Sequence, residues 1–370
     1  MSVSKSVLFR RQTTLPEIGE AGQQKLQDAK VLVVGCGGLG SPIAVYLASS
    51  GIGKLHLIDF DQVDATNLHR QVFYELEDVG NDKSETLANI IKRRAPFTNV
   101  SFSTNPLTKD NVFESIANFD IIVDGPDSLP TKYLLNDACV LQGKPLVYGS
   151  LYKFDGYVAS FNVRLDNGGY SANLRDAFPK MNTDVPNCEE IGTMNPIVGF
   201  IAMAQVNEVV KLITKIGRPL TNELLVYNAL QNTQFKMKLI PNVLKEKIAQ
   251  IFKSYTYFDA ACEAQNPDWQ ISAEELKKRL SENTCHANPK EIGPESLHLV
   301  AVLPNLKLPF KVHQTIPIQE FDVNKFQVDQ GKTYVMVCQK GFNSYKATKQ
   351  LKERYPEAKI LNLTGGIAMY

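Results

Sequence analysis

Short apolar runs alternate with amphipathic stretches along the first half of the chain. "KVLVVG" (30–35) is a continuous apolar run closed by glycine, the pattern of a parallel strand buried on both faces. "GSPIAVYLASSG" (40–51) carries apolar residues at helical spacing and stops at glycine. "KLHLIDFD" (54–61) predicts the next strand, and "DKSETLANIIKRRAP" (82–96) a helix closed by proline. "NVSFSTNPL" (99–107) and "FDIIVDGPD" (119–127) predict two further strands. "PLVYGSLYKFDGYVASFNV" (145–163) offers two more, and "GFIAMAQVNEVVKLITKIG" (199–217) an amphipathic helix ending in glycine. This alternation predicts an α/β fold with a doubly wound, mostly parallel, Rossmann-like sheet.

A second unit opens at "ISAEELKKRL" (271–280), where Ser272 is the expected N-cap and Glu275 completes a capping box. "SLHLVAVL" (296–303), "TYVMVC" (333–338) and "KILNL" (359–363) predict strands, and "SYKATKQLKERY" (344–355) a helix. The expected organisation is a first domain over 1–245, a linker over 246–269 and a smaller α/β domain over 270–370. A chain of 370 residues is long enough for two cores.

Charge and composition remove several function classes. Forty basic and thirty-nine acidic residues leave a net charge of +1 with no block of one sign. Neither a nucleic acid nor a membrane surface is therefore expected as a partner. The N-terminal residues lack an apolar signal region and no later run is an uninterrupted membrane span, so a cytoplasmic protein is expected. The six cysteines (36, 139, 188, 262, 285, 338) form no C-x-x-C pair and the five histidines are dispersed. No structural zinc site and no disulfide framework are expected.

The candidate chemistry begins with "GCGGLG". Gly35, Gly37 and Gly40 match G-x-G-x-x-G between a strand and a helix, with Gly38 beside them, a loop that lets backbone N–H groups approach phosphates. Asp59 ends the next strand, where an acid binds a ribose hydroxyl, and Asp61 follows it. A nicotinamide-dinucleotide-dependent oxidoreductase fits this much, and so does a purely structural glycine turn. The next residues discriminate. Asn67, Arg70 and Gln71 in "NLHRQ", Lys83 in "GNDKSETL" and Asp127 in "DGPDS" gather at the C-terminal edge of the sheet. Two cations suit a pentavalent phosphorus and departing pyrophosphate, and an acid such as Asp127 can hold Mg²⁺. A hydride-transfer site needs neither.

Six segments carry a family resemblance: "RRQTTLPEIGEAGQQKL" (10–26), "VLVVGCGGLGSP" (31–42), "LIDFDQVDATNLHRQ" (57–71), "DVGNDK" (78–83), "YLLNDACV" (133–140) and "NCEEIGTMNPIVG" (187–199). Through them residues 8–240 resemble the adenylyltransferases that activate ubiquitin-like sulfur carriers, the bacterial relatives of ubiquitin-activating enzymes. Those of molybdopterin and thiamine biosynthesis are the closest types. The resemblance implies ATP as substrate and a carrier ending in Gly-Gly as partner. Asp59 would hold the ribose, Asn67, Arg70 and Lys83 the triphosphate with Gln71 beside them, and Asp127 the Mg²⁺. Arg11 matches an arginine that a partner subunit inserts into the site, which implies a homodimer. Cys188 aligns with a crossover-loop cysteine able to bond the activated carrier. Cys36 and Cys139 read as packing residues. The family's two C-x-x-C pairs are missing, its usual Asp-Asn is Asp127-Ser128, and a frequent arginine is Lys132. With the unusual "LYKFDGYVASF" (151–161), these departures point to a branch with its own carrier. Activation of a peptide or carrier in specialised metabolism, without sulfur transfer, is the alternative.

Residues 270–370 resemble a rhodanese domain. "CQKGFNS" (338–344) gives C-x-x-G-x-x-S after a strand, with Lys340 adding charge. Cys338 would carry a persulfide, supplied by a donor such as a cysteine desulfurase, and pass sulfur to the activated carrier. The acid and arginine of the rhodanese pattern are absent, "LVAVLPN" (299–305) standing where Asp-Val-Arg is usual. A domain that only docks the carrier or the donor is the alternative.

Overall fold

The computed structural model describes residues 4–181, 192–255, 257, 266–285, 296–303, 308–318, 320–329, 331–339 and 341–370. The chain divides into two compact units, Met1–Tyr257 and Phe258–Tyr370.

The first unit is built on an eight-stranded sheet. Its strands are β1 (Lys30–Val34), β2 (Lys54–Ile58), β3 (Asn99–Ser103), β4 (Ile121–Asp124), β5 (Leu146–Tyr152), β6 (Asp155–Phe161), β7 (Glu223–Asn228) and β8 (Thr233–Lys238). The spatial order is β3-β2-β1-β4-β5-β6-β7-β8. The first five strands run parallel and the last three join antiparallel. Successive side chains of a strand point to opposite faces, so the apolar run of β1 serves two cores. Val31 and Val33 pack on one face with α1 (Gly19–Asp28), α2 (Gly40–Ser49), α3 (Lys83–Arg94) and α6 (Asn195–Thr214). Leu32 and Val34 pack on the other with α4 (Val112–Ala117), α5 (Leu129–Gln142) and α7 (Lys245–Ser254). The α6 helix is long and apolar enough to cross a membrane by composition, but its buried face packs against α2, β5 and β6.

The expected linker over 246–269 is corrected by this packing. Ile248, Ile251 and Phe252 share one face of α7 at helical spacing. Ile248 is fully buried, and the Phe252 ring lies 4.9 Å from that of Phe113. Beyond α7 the Tyr257 hydroxyl donates to Asp137, which also receives Arg175 Nε at 2.7 Å and Nη2 at 2.6 Å. These contacts carry the first unit on to Tyr257. The β7–β8 hairpin, in which every β8 side chain is exposed, is likewise not among the elements predicted from the sequence.

The second unit is a five-stranded parallel sheet in the order β11-β10-β12-β13-β9. Its strands are β9 (Gln270–Ile271), β10 (Ser296–Ala301), β11 (Gln314–Thr315), β12 (Lys332–Val337) and β13 (Ile360–Leu363), with helices α8 (Ala273–Cys285) and α9 (Phe342–Arg354). Ser272 Oγ caps α8 by accepting from Glu275 N at 3.1 Å. Glu275 itself pairs with Arg279 at 2.8 Å, one turn on.

Candidate functional site

The glycine loop exists because two of its positions exclude a side chain. Gly35 adopts φ +84°, and a Cβ there would lie 2.5 Å from Pro126 N. A Cβ on Gly40 would lie 1.7 Å from Gly35 O, so α2 can begin only at glycine. Gly37 and Gly38 lie between them beside Gln71 and Arg70. A Cβ on Gly37 would sit 3.5 Å from Gln71 Nε2, and one on Gly38 3.6 Å from Arg70 Cγ.

Asp59 stands behind this loop with 8% of its surface exposed. One carboxylate oxygen accepts from Cys36 N at 2.5 Å and the other from Asp61 N at 2.8 Å. Each oxygen keeps a further lone pair for a ribose hydroxyl. Burial pushes its carboxyl up to about 6, against the pull of Lys83. Asp61 reaches outward and pairs with Lys83 at 2.9 Å. Lys83 is the first residue of α3 and 5% exposed. Burial alone would lower its ammonium, but Asp59, Asp61 and Asp127 together raise it, so the charge is retained.

The remaining members converge on the same edge. Asn67 Oδ1 accepts from Arg70 Nη2 at 2.7 Å, which aims the guanidinium. Gln71 is 3% exposed and its Oε1 is buried without a hydrogen-bond partner. An orphaned acceptor beside a glycine loop is suited to a donor group on a bound ligand. Asp127 is exposed just past β4, where the bond from Gly125 N to Val34 O, 2.9 Å, ties its loop to β1.

The raised carboxyl of Asp59 predicts a pH dependence. Its native value lies above the ordinary 3.8, so folding disfavours the ionised form. That penalty is present above about pH 6 and is relieved as pH falls. The protonated form is also the poorer acceptor for ribose hydroxyls. ATP affinity is expected to fall by up to about tenfold per unit below pH 6, one proton being linked. Calorimetric titration of the wild type and Asp59→Asn at several pH values checks this. A fall that is equally steep in the variant would assign the titration elsewhere.

Other expected residues fall elsewhere. Lys132, matched to a frequent arginine of the family, turns inward and binds Asp124 at 3.1 Å and Gly149 O at 2.7 Å. Cys36 and Cys139 are both fully buried, and burial pushes both thiols up. Arg11 is exposed on the short helix Arg10–Thr13. Its neighbours hold that helix down: Phe9 is buried, and Gln12 Nε2 donates to Gln23 Oε1 at 2.6 Å and Ser50 O at 3.0 Å. Cys188 and Lys340 lie outside the described residues. Tyr74, which touches the glycine loop, carries no motif spacing and escapes a reading of the sequence.

In the second unit β12 delivers Cys338 to the start of a tight loop. Gly341, at φ +84°, precedes the first turn of α9. Cys338 Sγ accepts from Gly341 N at 3.1 Å, Ser344 N at 3.4 Å and Ser344 Oγ at 3.2 Å. The sulfur thus occupies the helix N-terminus as an acceptor, where negative charge is favoured. Ile367 N closes the loop on Cys338 O at 3.0 Å.

Known proteins match both units. The chain is 39% identical over 236 residues to the sulfur carrier protein adenylyltransferase of Thermus thermophilus, covering 63% of this chain and 87% of that protein. It is 32% identical over 373 residues to the probable adenylyltransferase/sulfurtransferase MoeZ of Mycobacterium tuberculosis, covering 98% and 92%. Among solved structures, E. coli MccB with ATP superposes with a TM-score of 0.52 at 25% identity, over 60% of this chain and 67% of that one. Residues 9–246 match the model of the ThiF family, and the chain belongs to that family.

Proposed function

We propose that the protein adenylates the C-terminal Gly-Gly carboxylate of a ubiquitin-like sulfur carrier and then converts it to a thiocarboxylate. The observation that carries this is Lys83 at the start of α3, held by Asp61 at 2.9 Å, with Arg70 beside Gly38 of the glycine loop. The carrier's carboxylate is ionised at neutral pH and attacks the α-phosphorus of ATP without a general base. The new P–O bond forms as the bond to the β-phosphate oxygen breaks, and pyrophosphate leaves with the electron pair. Arg70 and Lys83 neutralise the charge that builds on the phosphates, and Asn67 keeps Arg70 in place.

The donor set fits a magnesium ion. One exposed carboxylate, Asp127, stands in the field of Lys83, and Mg²⁺ commonly takes one or two carboxylates with phosphates and waters. Bound there, the ion would supply charge for the departing pyrophosphate. Arg11, exposed on its short helix, is the residue a second copy would lend to this site, which makes the working form a homodimer.

For sulfur transfer, the Cys338 thiolate takes the terminal sulfur of a protein persulfide, such as that of a cysteine desulfurase. A Cys338–sulfur bond forms and the donor leaves as its thiolate. The terminal sulfur then attacks the acyl carbon of the adenylate, forming C–S while the C–O bond to AMP breaks. A second thiol attacks Cys338 Sγ, forms a disulfide with it and releases the carrier thiocarboxylate. ATP–pyrophosphate exchange with carriers ending in Gly-Gly, followed by mass analysis of the carrier terminus, tests both halves. No exchange with any carrier sinks adenylation. Exchange without the mass gain of oxygen replaced by sulfur sinks the sulfur step alone, and is the outcome a peptide-activating enzyme would give.

A further inference from the structure

Tyr74 belongs to no motif, yet it touches all three segments that build the nucleotide site. Its amide donates to Gln71 O at 3.1 Å, closing the turn that follows Arg70 and Gln71. Its hydroxyl lies 2.7 Å from Cys36 O in the glycine loop and 3.2 Å from Lys83 O at the head of α3. The residue is 5% exposed, and burial holds its phenol well above the ordinary value. The hydroxyl therefore keeps its proton, and its single O–H is shared between two carbonyls from different elements, the shorter contact being to Cys36 O.

The three segments are otherwise joined by few direct bonds. Asp59 ties the loop to the end of β2 through Cys36 N, and Ser84 Oγ ties α3 to Asp59 O at 2.9 Å. Tyr74 alone among the described residues bonds the loop, the Arg70–Gln71 turn and the Lys83 backbone together. We propose that Tyr74 is a positioning residue for nucleotide binding, fixing the glycine loop, Arg70–Gln71 and Lys83 in one arrangement that meets a triphosphate. The proposal rests on the adenylation reading, and small displacements of phosphate-binding groups cost affinity steeply.

The test is Tyr74→Phe in the full chain, which removes one oxygen and keeps the ring. ATP binding is measured by calorimetry, which needs no carrier. The control is Tyr133→Phe, another buried bridging hydroxyl, 2.8 Å from Phe178 O and 3.0 Å from Lys180 O, both outside the three segments. Roughly tenfold weaker ATP binding is expected in Tyr74→Phe, the scale of one lost hydrogen bond plus misalignment. Tyr133→Phe should lose comparable thermal stability and keep wild-type affinity. Wild-type affinity in Tyr74→Phe, or equal weakening in both variants, overturns the proposal. A wild-type chain that binds no ATP overturns it together with the adenylation reading. One that binds ATP but exchanges with no carrier sinks that reading, and the two variants still decide the role of Tyr74. Hydrogen exchange of the wild type gives a second measurement that needs no variant. On adding ATP, amides of 35–41, 70–74 and 83–86 should gain protection together, and protection of 35–41 alone overturns the proposal.

Discussion

Asp127→Ala should reduce ATP–pyrophosphate exchange about a thousandfold or more, to the background of the assay. The loss has an electrostatic origin. In the proposed site Lys83 and Arg70 would bring positive charge to the triphosphate, and Asp127 is an exposed carboxylate suited to a divalent cation. On that proposal, removing it would leave the developing pyrophosphate charge without a counter-ion. Because the side chain is exposed, the fold should survive with a stability change within about 0.5 kcal/mol. A thermal melt run beside the exchange assay separates the two effects. Exchange within tenfold of wild type at saturating Mg²⁺ would remove Asp127 from the site.

Cys338→Ala should show the opposite pattern. Exchange stays at the wild-type rate, because residues of the first unit carry it, while thiocarboxylate formation disappears. The Sγ is the acceptor of three hydrogen bonds, from Gly341 N, Ser344 N and Ser344 Oγ, so alanine leaves three donors facing a small void. The expected structural cost is about 1–2 kcal/mol, confined to the second unit. Ser344→Ala removes one donor and should slow sulfur transfer several-fold, again with exchange intact. If the carrier is thiolated at the original rate in Cys338→Ala, the second unit is not the sulfur donor.

The two variants separate along the chain because the two chemistries do. The residues proposed for the nucleotide lie within 35–127 and those proposed for sulfur within 338–344. Both were legible as spacing: G-x-G-x-x-G and C-x-x-G-x-x-S are local patterns, closed by backbone geometry within a few residues. Gly35 and Gly40 had to be glycine because their missing Cβ atoms would collide with backbone. Ser344 follows from the same logic, since one turn of helix brings position 344 over the sulfur.

Roles that depend on distant partners were not legible. Asp59 and Asp61 look alike in "DFD", yet one is buried against Cys36, 23 residues away, and the other reaches out to Lys83. Lys132 stands where the family often has an arginine, and folding turns it under the sheet edge to Asp124. Tyr257 reads as part of a connector until its hydroxyl is found on Asp137, 120 residues earlier.

Sequence alone settled the strand–helix alternation, the two glycine-bearing loops and the chemical types gathered around each, because these follow from period, backbone sterics and local spacing. Tertiary packing chose which carboxylate supports the loop, which lysine pairs with the other and where the first unit ends. Those choices turn on burial and on hydrogen bonds between remote segments, and neither exists until the sheet has assembled.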